Sequence, residues 1–176
     1  DELLTFVNTD DSDVDGFELN IFQELNMLPE PFDGLFVSMN FTTTDGTSSL
    51  DVDNGTVTFP FRKLSEDVSN ISIGYDKNKF DIRLSSVSRS PYLDYLADDD
   101  SETIQEDLDN NNIRYTDDHT QIDFNLKYKI NDNLSIKFDI NNITDEPEFY
   151  YWGTPNRLSQ YDEYGTTYSI GIRYNL

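Results

Sequence analysis

The sequence predicts an all-β fold of about eight antiparallel strands that belong to a transmembrane β-barrel. Polar and apolar residues alternate strictly along several runs, the connections between runs alternate between short and long, and no long window has a helical period. Strict alternation marks a strand with one apolar and one polar face. No stretch approaches the roughly 18 apolar residues that a spanning helix needs, so any membrane crossing is expected from strands.

The clearest strands lie in the last third of the chain. Residues 121–130, 134–141 and 168–176 each place apolar or aromatic side chains at every second position. Only Asn131, Asp132 and Asn133 separate the first two runs, which is the length of a tight hairpin turn. We therefore expect these runs to be antiparallel neighbours.

Weaker alternation predicts the earlier strands. Four such runs are residues 17–21, 35–41, 71–75 and 80–84, and a partial strand is expected near 3–7. No helical period of 3.6 residues competes with these runs over any long window.

The lengths of the connections favour a membrane barrel. The joins at 76–79 and 131–133 are short, the 22–34 join is apolar and compact, and those at 8–13, 44–57, 91–116 and 146–163 are long and polar. Membrane barrels have short turns at one end and long loops at the other. A small soluble barrel is the alternative, but its dry interior would have to hold many charges. The polar positions of the predicted strands include Asp123, Lys127, Lys129, Lys137, Asp139 and Arg173.

Composition excludes several classes of function. The net charge of −23 excludes nucleic acid as a partner, because phosphate binding needs clustered Lys and Arg. The 14% aromatic content argues against disorder, and the absence of cysteine excludes thiol chemistry. The chain has a single histidine, His119, and no catalytic dyad can be identified, so no enzymatic activity is expected.

No cofactor is expected, although the acidic loops leave one alternative open. Asp98, Asp99, Asp100 and Glu102 form an acidic run, and residues 51–55 read Asp-Val-Asp-Asn-Gly. Oxygen-rich loops can bind calcium, but the twelve-residue spacing of a helix–loop–helix site is missing. Turn chemistry also explains Asp-Asn-Gly, and a solvated acidic surface explains the remainder.

The last residues resemble the signal that the outer-membrane barrel-assembly machinery reads. The pattern consists of a polar residue, a glycine two places on, and apolar or aromatic residues at the sixth and eighth places. Ser169, Gly171, Tyr174 and Leu176 occupy these places, with Leu176 where an aromatic residue is usual. The alternative is the final edge strand of a soluble sheet.

A longer set of motifs resembles the end of TonB-dependent receptors. Residues 141–147 read Asn-Asn-Ile-Thr-Asp-Glu-Pro, an aromatic run follows at 149–153, and a Tyr-Gly start opens the last strand at 164–174. Upstream, 15–19 and 28–42 are similar to two further strands of the family, and Arg-Ser-Pro-Tyr at 89–92 also fits. Ile143 and Thr166 depart from the family pattern.

The resemblance implies a partial barrel. Residues 1–176 would be the closing segment of a barrel of about 22 strands, with the plug and the earlier strands absent. The intact protein would import a siderophore-type chelate or an oligosaccharide across the outer membrane of a Gram-negative bacterium. Its partners would be outer-membrane lipid, the remaining strands and plug, the TonB complex and the assembly machinery. The alternative is a structural or assembly barrel without transport activity.

One aromatic run is a candidate for membrane or ligand contact. Phe149, Tyr150, Tyr151 and Trp152 are consecutive in a long connection. Amphipathic rings settle at the outer membrane interface, and they also stack on sugars or chelates. The alternative is an aromatic loop that packs on its own core.

Overall fold

The computed structural model describes residues 11–52, 55–96 and 104–175, which form two antiparallel sheets. The elements in chain order are β1 (Asp11–Glu24), a 3-10 helix (Phe32–Gly34), β2 (Leu35–Val52), β3 (Gly55–Pro60), β4 (Asp67–Lys77), β5 (Phe80–Arg89), β6 (Tyr92–Leu96), α1 (Ile104–Asp109), β7 (Ile113–Thr116), β8 (His119–Lys129), β9 (Leu134–Asn141), β10 (Glu148–Trp152), β11 (Leu158–Asp162) and β12 (Thr167–Tyr174). The main sheet has the order β1-β2-β4-β5-β8-β9-β12, and β3 pairs with the far part of β2. The small sheet has the order β11-β10-β7-β6.

The strand register gathers the apolar side chains of the main sheet on one side, which we call the apolar face. One row across six neighbouring strands consists of Val37, Ile73, Leu84, Phe124, Ile140 and Tyr168. The adjacent row consists of Leu35, Tyr75, Ile82, Leu126, Phe138 and Ile170. Because side chains alternate along every strand, a register slip of one residue would scatter both rows between the two sides of the sheet.

The opposite side, which we call the polar face, carries charged, amide and hydroxyl groups. One of its rows runs Glu24, Phe36, Gly74, Arg83, Asn125, Asp139 and Ser169. The apolar face is free of charged residues over the middle of the described strands. The apolar-face positions within 17–21, 35–43, 69–75, 80–88, 120–128, 134–140 and 168–174 include no Asp, Glu, Lys or Arg.

The apolar face ends abruptly on β1 and β2. Phe17 and Phe41 are the last large apolar residues on that face, and Asp15 and Asp45 follow as a cross-strand pair. Beyond this level β2 continues to Val52 and pairs with β3. A tilted strand needs about 9–11 residues to cross the hydrocarbon core of a bilayer, and the 18 residues of β2 exceed that length.

The sheet is open, with β1 and β12 at its edges. Both edge strands are exposed along their length, and Ile170 and Ile172 of β12 are 78% and 76% exposed. The structure thus confirms the predicted all-β antiparallel fold as a partial barrel. Of the predicted strands, only the one near 3–7 lies outside the described residues.

The main sheet has two different ends. At one, which we call the turn end, the connections are the two-residue turn Asn78-Lys79, the short 130–133 turn and the 25–34 segment with its 3-10 helix. The other, which we call the loop end, carries the small sheet and β3. Among the described residues, no helix combines the length and apolar character needed to cross a membrane.

Four of the predicted long loops are in part regular structure. Strand β1 already begins at Asp11, and the 44–57 connection consists largely of the β2–β3 hairpin. The 91–116 connection contains β6, α1 and β7, and the 146–163 connection contains β10 and β11. The prediction of polar loops was wrong at 44–57 and 91–116 because these segments pack a core with each other, and at 8–13 and 146–163 because strands lie within them. The core residues are Val57, Phe59, Leu93, Leu96 and Ile113, with Leu50, Leu108 and Tyr115 packed against them.

Candidate functional site

The polar face carries a hydrogen-bonded network between β1 and β2. The Nδ2 groups of Asn20 and Asn40 each donate to Glu18 Oε1, at 2.9 Å in both cases. Asn40 Nδ2 also lies 2.6 Å from Asn20 Oδ1. The network joins β1 to β2 through side chains and leaves hydrogen-bonding groups exposed on the polar face.

A second network surrounds Asp139 on β9. Its carboxylate accepts from Asn125 Nδ2 at 2.8 Å and from Ser169 Oγ at 3.2 Å, and it lies 3.0 Å from Lys137 Nζ. These partners come from three adjacent strands, so the network links β8, β9 and β12 through side chains as well as through the backbone. Its members are satisfied, which rigidifies the polar face near the open edge.

An apolar group interrupts the polar face where Phe36 lies over Gly74. Phe36 is buried, the Phe22 ring lies 5.7 Å from it between centroids, and the Arg83 guanidinium lies 5.4 Å above it. A Cβ at Gly74 would overlap the Phe36 ring. Glycine is therefore required there for close packing and not for a turn.

We expect Gly74→Ala to displace the Phe36 ring and to destabilise the barrel wall by about 1–3 kcal/mol, the usual cost of overpacking. The temperature at which half of the protein loses the migration of the folded form on unboiled gels would fall. Ser72→Ala changes the same face of the same strand without a clash and is the control. Equal midpoints for the two variants would contradict the assigned packing.

In the small sheet, charged and aromatic groups surround Arg114. Its Nε lies 3.1 Å from Asp94 Oδ2, and its Nη2 donates to Gln160 Oε1 at 3.3 Å. The guanidinium also lies 4.6 Å above the Tyr150 ring. Because the guanidinium is held by an ion pair and a ring at once, its orientation is fixed.

The four aromatic residues singled out in the sequence lie in β10, where they have different surroundings. The Tyr150 hydroxyl donates to Glu148 Oε2 at 2.6 Å, and this bond, with burial second, raises the pKa of Tyr150 well above its ordinary value. Tyr151 is buried and stacks on Tyr115 at 5.5 Å between centroids, and burial raises the pKa of both phenols. Phe149 and Trp152 are half-buried. Their contact with membrane or ligand remains a prediction.

Asn142 joins the end of β9 to the small sheet. Its side chain accepts from the Glu146 backbone N–H at 2.8 Å and donates to the Glu146 carbonyl at 2.9 Å. Its own N–H donates to Asp123 Oδ1 at 2.9 Å, and its carbonyl accepts from Thr166 Oγ1 at 2.8 Å. Its φ of 55° is a left-handed conformation that asparagine tolerates.

The turn that Asn142 organises closes one side of a cavity of about 210 Å³. The cavity lies between the polar face and the small sheet, and its lining is rich in carboxylate, amide and imidazole groups. The lining residues are His119, Gln121, Asn141, Asn142, Glu146, Glu148, Tyr164, Gly165 and Thr167. Pockets for whole small ligands measure about 300–1,000 Å³, so this cavity is too small to enclose one.

We expect Asn142→Ala to loosen the 142–148 turn. The variant removes both side-chain hydrogen bonds, at about 1–3 kcal/mol for buried polar groups left unpaired, and places alanine at a positive φ. Hydrogen exchange of the Glu146 amide, followed by mass spectrometry of the intact protein, should accelerate. Asn142→Gly also lacks the side-chain hydrogen bonds, but glycine adopts the positive φ without strain. Its exchange rate should therefore lie between those of the wild type and Asn142→Ala. An unchanged rate in both variants would refute the role of the turn.

The residues of the predicted assembly signal lie on β12. Ser169 and Gly171 are on the polar face, Tyr174 is on the exposed apolar face, and Leu176 lies outside the described residues. Their recognition by the assembly machinery remains a prediction.

The acidic segments form no metal site within the described residues. Within residues 11–52, 55–96 and 104–175, no group of three or more His, Asp or Glu side chains is arranged to hold a metal ion. Asp53, Asp98, Asp99, Asp100 and Glu102 lie outside the described residues. The expectation of no cofactor, with calcium in the acidic loops as its alternative, remains a prediction.

Sequence reasoning missed the residues of the small sheet apart from β10. Ile113-Arg114-Tyr115-Thr116 alternates, and so does part of Tyr92-Leu93-Asp94-Tyr95-Leu96, but each run is only four or five residues long. These strands could have been found from the enrichment of aromatic and β-branched residues within connections that are otherwise polar. That enrichment is typical of strands.

Comparisons with known proteins agree with this architecture. The family model described as TonB dependent receptor-like, beta-barrel, matches residues 2–143. Among solved structures, the siderophore receptor PiuA from Acinetobacter baumannii superposes with a TM-score of 0.62 at 16% sequence identity. The match covers 93% of this chain and 22% of that receptor. A comparison with curated proteins finds no match.

Proposed function

Because this chain belongs to the TonB-dependent receptor family of β-barrels, we propose that it forms the closing part of an outer-membrane nutrient importer in a Gram-negative bacterium. In this proposal residues 1–176 are the C-terminal segment of the barrel, and the plug and earlier strands are supplied by the remainder of the receptor. The apolar face lies against lipid, the polar face lines the lumen, and the loop end is extracellular.

The observation that carries the proposal is the register of the main sheet. It places an uncharged apolar surface on one side and charged, hydrogen-bonded networks on the other. A water-soluble sheet would not expose so wide an apolar surface. A plug-filled or wet lumen suits charged groups such as Glu18, Arg83 and Asp139 better than a dry core does.

The open edges support the partial-barrel assignment. An unpaired strand edge in lipid leaves backbone groups without partners, at several kcal/mol each. The exposed β1 and β12 therefore require pairing with further strands of the same barrel. The same argument disfavours the described sheet acting alone as a structural barrel.

The proposed cargo is a siderophore-type chelate, with an oligosaccharide as the alternative. The structural similarity to a siderophore receptor supports the chelate. The cavity beside His119, Glu146 and Glu148 offers hydrogen-bonding groups that suit the polar periphery of either ligand. The proposal involves transport of an unchanged ligand and assigns no chemical conversion.

The test is deletion of the intact gene, with growth measured on iron chelates and on oligosaccharides as limiting nutrients. Loss of growth on a chelate that returns with the intact gene and depends on TonB supports the proposal. Loss of growth on an oligosaccharide alone would show that the cargo is the oligosaccharide. Normal growth on both, with an intact barrel in the outer membrane, would favour a structural protein.

A further inference from the structure

Positive charge collects at one place on the polar face, although the chain as a whole is strongly acidic. Of its twelve Lys and Arg residues, four occupy neighbouring positions of β8, β9 and β12 near the turn end. Lys127 and Lys137 are direct cross-strand partners, Gly171 lies opposite Lys137, and Arg173 follows two residues later on the same face. We call Lys127, Lys129, Lys137 and Arg173 the basic surface.

Three of these four cations form no ion pair within the described part of the chain, although Asp81 is the cross-strand partner of Lys127. Lys137 pairs with Asp139 at 3.0 Å, whereas Lys127, Lys129 and Arg173 form no ion pair with any described residue. Like charges directly opposite each other are unfavourable. Lys77 provides a contrast, because it lies at the same end yet is paired with Asp33 at 2.6 Å and Glu30 at 3.0 Å.

The basic surface forms part of the wall of a small cavity. A cavity of about 100 Å³ is lined by Lys127, Lys129 and Arg173, together with residues 131–135 and Asn175. The turn is held in place, since Asn131 Oδ1 accepts from the N–H of Leu134 at 2.9 Å and Asn133 Nδ2 donates to the Asn175 carbonyl at 2.8 Å. Next to it, a Cβ at Gly171 would meet nothing within 4 Å.

We propose that the basic surface docks an acidic segment of the domain that fills the barrel lumen, an inference that rests on the proposed function. Filling the lumen removes water from these cations, and burying unpaired charge is costly unless carboxylates replace the water. Lipid headgroups are not the partner, because the basic surface is on the face opposite the lipid-facing rows. The docked segment would lie at the turn end, which is the periplasmic end.

Zero-length carbodiimide cross-linking of the intact receptor tests the proposal, because it joins an amine and a carboxylate only when they are in contact. Mass spectrometry should find Lys127 or Lys129 joined to an Asp or Glu of the lumen domain. The double variant Lys127→Gln, Lys129→Gln should lose these products. The control Lys63→Gln, at the loop end, should retain them.

Arg173 allows a test that leaves the reacting amines in place. Arg173→Glu should lower the cross-link yield by repelling the acidic segment, and Arg173→Lys should keep it. Heat-modifiable migration of each variant shows that the barrel is folded. Cross-links confined to Asp81 or Asp132, or yields that do not respond to Arg173→Glu, would overturn the docking proposal alone. An intact protein without any lumen-filling domain would overturn the proposed function as well.

Discussion

Replacing Ile73 with arginine is expected to cost about 2–4 kcal/mol of barrel stability, the penalty for a cation near the bilayer midplane. Ile73 lies in the middle of an apolar row between Val37 and Leu84 and is 54% exposed on the apolar face. The arginine guanidinium would have to enter hydrocarbon, because its immediate neighbours in the row, Val37 and Leu84, are both apolar. The amount of heat-modifiable receptor in isolated outer membranes should drop strongly.

Ser72→Arg is the matched control, because it introduces the same side chain one residue away on the polar face. Ser72 lies between Ser38 and Ser85 in the register, so its replacement would extend into the polar side. We expect near-normal amounts of folded receptor for this variant. If Ser72→Arg were the more damaging of the two, the assignment of lipid-facing and lumen-facing sides would be reversed.

Leu93→Ala should open the small sheet while leaving the main sheet folded. Leu93 is 1% exposed and belongs to the core formed with Val57, Phe59, Leu96 and Ile113. Truncating a buried leucine costs about 2–5 kcal/mol of stability. That is a large share of the stability that so small a core contributes. Protease added to intact cells should cleave the receptor within residues 92–162 much faster than in the wild type, with heat-modifiable migration retained.

Leu158→Ala removes the same atoms from a 59% exposed position in the same small sheet and serves as the control. Its cleavage rate should stay close to that of the wild type. Equal protection of Leu93→Ala and the wild type would mean that the small sheet is held by contacts other than this core.

The long strands were predictable because their signal is local. Residues 121–130 alternate without interruption, and the turn after them is too short to permit any partner but 134–141. The face of each polar residue followed from the same alternation, so Asp139 and Lys127 could be placed on one side before the structure was known. Partnerships such as that of Glu18 with Asn40, 22 residues away, follow only from the register.

The small sheet could not be predicted, because its strands are short and their partners are distant. Register shifts interrupt β6 between Leu93 and Tyr95, and β10 between Tyr150 and Tyr151, which breaks the period-two pattern. β10 pairs with β7, which lies more than 30 residues earlier in the chain. Arg114 therefore has no sequence signal that would bring it to Tyr150.

The core that joins β3 to β6 and β7 has a consequence for how a ligand would be captured. Flexible loops lose conformational freedom when they close over a ligand, and that loss subtracts from affinity. Here the groups around Arg114 and Tyr150 are already held on a hydrogen-bonded sheet. A ligand that contacted this surface would meet side chains already in place, so the protein would lose little conformational entropy on binding. Its specificity could then change by substitution of those side chains, without a change in loop length.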